Sequence, residues 1–375
     1  MKISELIDFN TFEYHWDVIE RIPEFARLKK CEQNPKWHSE GNAWEHTKLV
    51  CKAAVRMVKE KDVYFEDDAQ LLLASALFHD IGKITTTHMG KDGNWHAYGH
   101  EIDGEKITRR LLWNEDTKFR EDVCSLVRNH MRVLQIFESK SLLDKFAELS
   151  RDVCSMFVLK QLKECDVEGS LQKDEVSKSC DYSKLKTFLD MATNFNCEYG
   201  PIEDYSNYAK QTKDCITKPH ITVYVMIGLP GSGKSTYAQE LVMQGKGNVI
   251  ISRDIIRAKL GYCKEGDKVV LSKGKENEVT KAEKEAILEA ASQGKSIIID
   301  DTNLKREYRI SYKSLLSEYY VEWRYVYVEA SDLSVNVERR QGQVSETVLK
   351  EMMNKIEWPT FDEYGHESFF EIINT

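Results

Sequence analysis

No stretch of these 375 residues approaches the roughly eighteen uninterrupted apolar positions that a membrane-spanning helix needs. The opening MKISELIDFN lacks the apolar run of a secretion signal, so the expected compartment is the cytoplasm. No C-x-x-C pair occurs among the nine cysteines (Cys31, Cys51, Cys124, Cys154, Cys165, Cys180, Cys197, Cys215 and Cys263). That removes a disulfide framework and a thiolate zinc site, and leaves reduced, structural thiols. An excess of basic charge is also missing, since the formal net charge is −9. Proteins that grip long duplexes through many phosphates usually carry a basic face, so the charge favours an enzyme acting on an end or a short strand over a non-specific coat. A few local arginines and lysines could still hold an end or a short strand. Internal repeats and low-complexity tracts are absent as well.

What is present fills two compact domains. A hydrophobic share of 41% beside 31% charged residues is that of an ordinary soluble chain. Residues 1–170 read as helical. NAWEHTKLVCKAAVRMVKE, DDAQLLLASALFHDIGK, TKFREDVCSLVRNHM and SRDVCSMFVLKQLKECD all place apolar residues at three- and four-residue spacing, and Asp67 and Asp68 suit a helix start. Residues 171–219 are polar and irregular and read as a connecting segment with a short helix in KLKTFLDMATNF. From 220 to 375 the texture alternates. The β-rich runs ITVYVMIG, NVIISRD, KSIIIDD and EWRYVYVEA are separated by helical patterns. This predicts a parallel sheet with helices on both faces. The expected fold is therefore multidomain, an all-α bundle followed by an α/β domain.

GLPGSGKST matches the phosphate-loop pattern through Gly228, Gly233, Lys234 and Ser235, with Gly231, Ser232 and Thr236 alongside. It follows an apolar strand and opens a helix, which is the context the pattern requires. Glycines let backbone N–H groups turn inward around phosphate oxygens, and the helix N-terminus adds its dipole. Lys234 would reach the outer phosphates of ATP or another nucleoside triphosphate, and the Ser235 hydroxyl would bind Mg²⁺. The next strand ends in ISRDIIR, which sets Asp254 and Arg257 three apart on one helical face at the carboxyl edge of the sheet. There a carboxylate can take the proton of an attacking hydroxyl and an arginine can pair with a phosphate; an exposed helix cap is the plain alternative. Asp300 or Asp301, in IIIDDTN, could orient the metal's water shell or the acceptor, or simply cap the following helix. Arg339 and Arg340 precede a glycine-containing turn, from which an arginine could cover a transferring phosphoryl group.

The first half holds a second constellation: His46 in WEHT, His79, Asp80 and Lys83 in FHDIGK, His100 in GHE, His130 in RNHM and Asp166 in KECDVEG. Imidazoles with carboxylates suit Mn²⁺, Fe²⁺, Co²⁺, Ni²⁺ or Zn²⁺ rather than calcium. Asp80 could bridge two ions that together activate a water. Lys83, one turn from His79, can face the same site and neutralise a phosphate oxygen. A single such histidine is more often a satisfied core residue; the ensemble carries the weight.

Both motif sets resemble known families. His46, His79, Asp80 and Asp166 resemble the H…HD…D signature of the HD phosphohydrolase superfamily, and His100 and His130 its extra two-metal histidines. The segment HSEGNAWEHT is similar to the HD module of tRNA nucleotidyltransferases, which implies a substrate contact for His38; a surface histidine is the alternative. GLPGSGKSTYA, SRDIIR and DDTNL resemble, in order and spacing, the phage-type polynucleotide 5′-hydroxyl kinases. That likeness implies Asp254 as general base, Arg257 and Asp301 on the acceptor side, and Arg340 as the lid arginine. The lid turn departs from the family, being shorter and carrying Ser345 where proline is usual.

The domain order resembles the HD-domain polynucleotide kinases that heal RNA ends. The resemblance implies ATP-dependent phosphorylation of a 5′-OH, together with metal-dependent removal of a 2′,3′-cyclic or 3′-phosphate. RNA ends, or DNA ends, would be the substrate. A separate RNA ligase would be the downstream partner, and no membrane is implied. Two other readings stay open: a nucleoside or small-molecule kinase fused to an HD nucleotidase, and an ATP-switched binding module with an inactive HD domain.

Overall fold

The computed structural model describes residues 1–60, 65–171, 175–198, 220–263, 271–341, 343–360, 363 and 369–375, without the side chains of 175, 194–198 and 369. They belong to two compact units, Met1–Tyr199 and Gly200–Thr375.

The helical spacing of the first unit produces α1 (Ala43–Lys59), α2 (Glu66–Phe78), α3 (His100–Leu111), α4 (Thr117–Asn129) and α5 (Met156–Gly169). Asn42 starts α1 from an extended backbone by accepting the Glu45 N–H at 3.0 Å, and Asp116 and Ser155 start α4 and α5 in the same way. Such caps contribute about 1 kcal/mol each. In α2 every residue from Leu71 to Phe78 is buried. A helix that is apolar all round belongs in the centre of a bundle. It therefore delivers the two residues that follow it, His79 and Asp80, into the interior.

Two devices then bring the remaining histidines to the same place. A Cβ on Gly82 would stand 1.9 Å from the His100 carbonyl oxygen and 2.5 Å from the Gly104 nitrogen. Only glycine lets the turn after α2 touch the first turn of α3. Between α3 and α4, the buried Arg109 donates from Nε and Nη2 to Glu121 at 2.7–3.0 Å and from Nη2 to Glu105 at 2.7 Å. Arg120 adds a bond to Glu121 at 2.8 Å while lying over the Trp113 ring at 4.4 Å. The cluster locks the helix that starts at His100 against the helix that ends at His130.

Two short antiparallel hairpins interrupt the helices, β1 (Ile7–Asp8) with β2 (Glu13–Tyr14) and β3 (His88–Met89) with β4 (Trp95–His96). Strands of two residues leave no readable alternation. The expected connecting segment divides. Residues Glu175–Glu198 form a long helix, α6, and pack in the first unit through the buried Leu185 and Phe188. Residues 172–174 and 199–219 of the segment lie outside the described residues.

The second unit is built on a parallel sheet in the order β6-β7-β5-β8-β9: β5 (His220–Ile227), β6 (Val249–Ile251), β7 (Ile297–Asp300), β8 (Tyr320–Glu329) and β9 (Phe369–Asn374). Tyr224, Met226, Ile298, Val326 and Val328 pack on one face with Ala238 and Leu241 of α7 (Lys234–Met243). The alternate residues Val223, Val225, Ile297, Ile299, Tyr325 and Tyr327 are also buried. Both faces are therefore covered, as near-continuous apolar strands require. Strand β9 was not legible in the sequence. The carboxyl ends of β5, β6 and β7 deliver the phosphate loop, Asp254 and Asp301 to one edge of the sheet. Described cysteines are free thiols, and among the described residues no helix is long and apolar enough to cross a membrane.

Candidate functional site

In the first unit the six expected ligands come together. His46 Nε2 lies 2.9 Å from Asp166 Oδ1 and 3.6 Å from Asp80 Oδ2. His79 Nε2 lies 3.3 Å from Asp80 Oδ2, and His100 Nε2 lies 3.3 Å from Asp80 Oδ1. Ligand atoms of His46, His79 and Asp166 fall within 4.8 Å of one another, and so do those of Asp80, His100 and His130. Asp80 thus lies against residues of both triads, with one oxygen near His46 and His79 and the other near His100.

The ring orientations fit a cation. His79 Nδ1 donates to the Ala76 carbonyl at 2.9 Å, His100 Nδ1 to Ala97 at 2.7 Å and His130 Nδ1 to Val127 at 2.8 Å. A carbonyl only accepts, so each Nδ1 carries the proton and each Nε2 turns a lone pair inward. His79 Nε2 is buried without a hydrogen-bond partner. The Nε2 atoms of His100 and His130 face each other at 3.2 Å. Two such lone pairs at that distance repel unless a cation or a proton lies between them. The donor set, imidazole plus carboxylate, suits a divalent transition metal.

Charge around the centre follows from burial and neighbours. Burial resists the charge on His46, but Asp166 and Glu40 hold its imidazole up at about 9. Burial also resists ionisation of Asp80 and Asp166, yet Lys83 and Lys163 respectively, with nearby imidazoles, keep both carboxyls well below the usual range. Burial pushes His130 and His100 down. Lys83 Nζ sits 2.6 Å from Asp80 Oδ2 and donates to Gln33 Oε1 at 2.5 Å, so it reaches the site as expected. His38 is also beside the centre, its ring 4.7 Å from that of His46.

Three residues here escaped sequence reasoning. Lys163 Nζ lies 2.6 Å from Asp166 Oδ2, and its three-residue spacing from Asp166 was a usable signal. Glu40 and Gln33 lie on a loop before α1, where no periodicity points to them.

In the second unit, the phosphate loop turns on positive φ at Gly228, Gly231 and Gly233. A Cβ on Gly231 would meet the Asn336 carbonyl oxygen at 2.4 Å, so this turn needs glycine for space as well as for φ. Lys234 is buried and donates to the Leu229 carbonyl at 2.8 Å. Burial pushes its ammonium down to about 8, against the pull of Asp300, Asp301 and Asp254 and with a push from Arg340. Ser232 Oγ is buried without a partner, while Ser235 and Thr236 at the start of α7 are exposed.

Asp254 lies in the first turn of α8 (Arg253–Lys259), where Ser252 occupies the N-cap position. Asp254 is thus not the N-cap residue itself, and Ser252 makes no side-chain capping bond. Its Oδ1 accepts from Arg257 Nη1 at 2.8 Å, and Oδ2 lies 3.9 Å from Arg340 Nη2. Arg339 is instead tied to Thr375 Oγ1 at 2.8 Å, and that hydroxyl donates to the Ser232 carbonyl. Asp301 accepts the Thr302 N–H at 2.8 Å and lies 3.6 Å from Arg253 Nε; it caps no helix, since α10 (Arg306–Leu315) has Lys305 at its N-cap. Burial raises its carboxyl to about 6. Arg253 bonds Glu276 at 2.7 Å and Glu283 at 2.8 Å, and Arg257 also reaches Glu276 at 3.2 Å. This brace behind Asp254 and Asp301 has no sequence motif, because Glu276 and Glu283 come from α9 (Lys273–Ser292).

Residues 43–156 match the family model of the HD domain, and residues 223–359 that of the AAA domain. The chain joins an HD domain to a P-loop kinase domain. Among relatives, it is similar to the multifunctional CCA protein of Actinobacillus pleuropneumoniae serotype 5b, with 39% identity over 90 residues, 24% of this chain and 20% of that one. It is also similar to the putative bifunctional polynucleotide kinase/RNA ligase of Autographa californica nuclear polyhedrosis virus, with 39% identity over 93 residues, 22% of this chain and 12% of that one. The bifunctional polynucleotide phosphatase/kinase of Schizosaccharomyces pombe is 26% identical over 152 residues, 38% of this chain and 32% of that one. The chain thus spans between 12% and 32% of the length of these relatives. A solved Pnkp1/Rnl/Hen1 RNA repair complex matches 37% of this chain and 43% of that one at 22% identity and a TM-score of 0.30.

Proposed function

We propose that this protein heals RNA ends, phosphorylating a 5′-OH with ATP in its second unit and removing a 2′,3′-cyclic or 3′-phosphate in its first. The observation that carries the reading is the pairing, in one chain, of a buried six-ligand His/Asp centre with a phosphate loop that faces an uncapped carboxylate flanked by two arginines. The names of the viral and fission-yeast relatives support a polynucleotide as the acceptor.

In the kinase half, Asp254 takes the proton of the 5′-OH as that oxygen bonds to the γ-phosphorus and the bond to the β–γ bridging oxygen breaks, releasing ADP. Arg257 pairs with Asp254 and can meet the acceptor phosphate; Asp301 lies on the acceptor side. Lys234 and Arg340 neutralise the charge that develops on the transferring group. Gly231, Ser232, Gly233 and Thr236 line the phosphates, and Ser235 would ligate Mg²⁺. In the other half, His46, His79, Asp80, His100, His130 and Asp166 would hold one or two divalent ions. When bound, these supply Lewis-acid activation of water at the phosphorus. Lys83 balances phosphate charge, and His38 contacts the substrate from the rim. The reaction leaves a 5′-phosphate and a free 3′-OH, the pair a separate RNA ligase consumes, and the cytoplasm is the expected compartment.

Competition between a 5′-OH RNA oligomer and free nucleosides for label from [γ-³²P]ATP tests the acceptor. Preferential labelling of the oligomer is expected. Preferential labelling of nucleosides would instead make this a small-molecule kinase fused to a nucleotidase.

A further inference from the structure

His46 is held from both sides of its ring. Its Nε2 faces Asp166 and Asp80, and its Nδ1 lies 2.9 Å from Glu40 Oε1. The same Glu40 oxygen accepts from His38 Nδ1 at 2.7 Å, and Oε2 accepts the Leu171 N–H at 3.0 Å. The Glu40 side chain is only 2% exposed. Among the described residues no lysine or arginine pairs with it. Its charge is met only by the imidazoles of His38 and His46, and a carboxylate buried this deeply is kept where its acceptors are needed.

Its position joins three parts of the site. Leu171 follows α5, the helix that carries Asp166, and the Ser39 N–H also reaches the Leu171 carbonyl at 3.3 Å. Glu40 therefore fastens its own loop to the Asp166 helix and to the His46 ring together. His46 is fully buried, whereas the His38 side chain is 20% exposed, so His38 is the member of the trio that faces solvent. The three ligand atoms of His38, Glu40 and His46 lie within 4.8 Å. A cation among them would require His46 to give up its Nδ1 proton while Nε2 serves the main centre, so the acceptor role for Glu40 is the simpler chemistry.

We infer that Glu40 is a positioning residue that fixes His46 with Nδ1–H outward and Nε2 toward the metal, and that through the same oxygen it sets His38 at the rim for the phosphate ester. The inference rests on the proposed metal phosphohydrolase. The His38 and Leu171 N–H groups bond to this side chain, and His46 Nδ1 faces it at 2.9 Å outside good hydrogen-bond alignment; only a carboxylate, which is acceptor-only, can face all three without setting a donor against a donor. Glutamine keeps the shape but must point its NH₂ either at the Leu171 N–H or at the two imidazole N–H groups. Either orientation leaves donors facing donors.

The test is titration of full-length protein with Mn²⁺ by calorimetry, for wild type, E40Q, E40D and H38Q, followed by hydrolysis of a 2′,3′-cyclic nucleotide at saturating Mn²⁺. E40Q is expected to bind Mn²⁺ about 10–100-fold more weakly, the range typical of a lost outer-shell partner, and to regain most of its kcat when the metal is saturating. H38Q is expected to bind Mn²⁺ as wild type does and to show a raised KM. Should E40Q fail to fold, E40D, which withdraws the carboxylate by one methylene, is expected to show the same weakening. Equal Mn²⁺ affinity in wild type and the Glu40 variant would overturn the inference. So would a loss of Mn²⁺ affinity in H38Q as large as in the Glu40 variant, since His38 would then belong to the metal's own shell. Wild type that binds no Mn²⁺ would instead remove the metal reading on which the inference rests.

Discussion

The Nε2 atoms of His100 and His130 stand 3.2 Å apart, each ring with its Nδ1–H committed to a backbone carbonyl. Helices α3 and α4 thereby aim two neutral donors at one point, with Asp80 Oδ1 3.3 Å from the first of them. A cation at that point replaces repulsion with coordination. Replacing His130 with alanine removes one donor from the Asp80 triad and leaves the His46 triad whole. Bound Mn²⁺, counted by elemental analysis after dialysis, should fall below the wild-type count. A count equal to that of wild type would show that His130 is not a ligand.

Metal binding should also be visible as stability. A ligand at a hundred times its Kd stabilises the folded form by about 2.7 kcal/mol. The first unit should therefore melt higher with Mn²⁺ than with a chelator, and D80A, which loses a carboxylate of one triad that also lies against His46 and His79 of the other, should show little of that increment. A D80A increment equal to that of wild type would place the ions elsewhere.

The clamp between α3 and α4 predicts a stability phenotype away from the chemistry. Glu121 is buried with Arg109 and Arg120, and breaking such a pair by removing one partner destabilises by about 3–5 kcal/mol. E121A should lower the urea midpoint of the first unit accordingly. Burial opposes ionisation of Glu121, but Arg109 and Arg120 hold its carboxyl below the ordinary glutamate value of 4.5. Its contribution is thus complete above pH 4.5 and is lost as pH falls toward the lower folded value. The E121A penalty should shrink in acid; a penalty independent of pH would contradict the assignment.

Asp301 carries the opposite sign. Burial raises its carboxyl to about 6 from an unfolded value of 3.8. The folded state then favours the protonated form, so the group is neutral to stability below pH 3.8 and increasingly unfavourable as pH rises through 6. Because its side chain is still 28% exposed, the effect is discounted for solvent. D301N should melt higher than wild type at pH 7.5, with the gain shrinking toward pH 4, while its RNA phosphorylation falls. A gain of equal size at both pH values would mean that packing, not charge, is responsible.

Much of this was legible in the sequence because the chemistry sits on regular elements. The unbroken apolar run of α2 announces a central helix and puts His79 and Asp80 at its end; the glycines of GLPGSGKST announce their own turn. What stayed hidden depends on contacts between distant segments. Glu40 lies on an irregular loop, and its role is defined by residues 6 and 131 positions away. Glu276 and Glu283 look like surface charges of a long helix until Arg253 is packed against them. Strand β9 was not among the β-rich runs singled out and is defined by its parallel pairing with β8, and α6 lacks the apolar periodicity that would have separated it from a connecting segment.

The central claim, two opposed phosphate chemistries in one chain, is tested most directly on one RNA oligomer bearing a 5′-OH and a 2′,3′-cyclic phosphate, incubated with ATP, Mg²⁺ and Mn²⁺. Mass spectrometry of the product resolves both ends. Wild type should give a 5′-phosphate with a free 3′-OH, D80A only the 5′-phosphate, and D254A only the free 3′-OH. An oligomer returned with both ends unchanged by wild type, or the loss of both activities together in either variant, would contradict it.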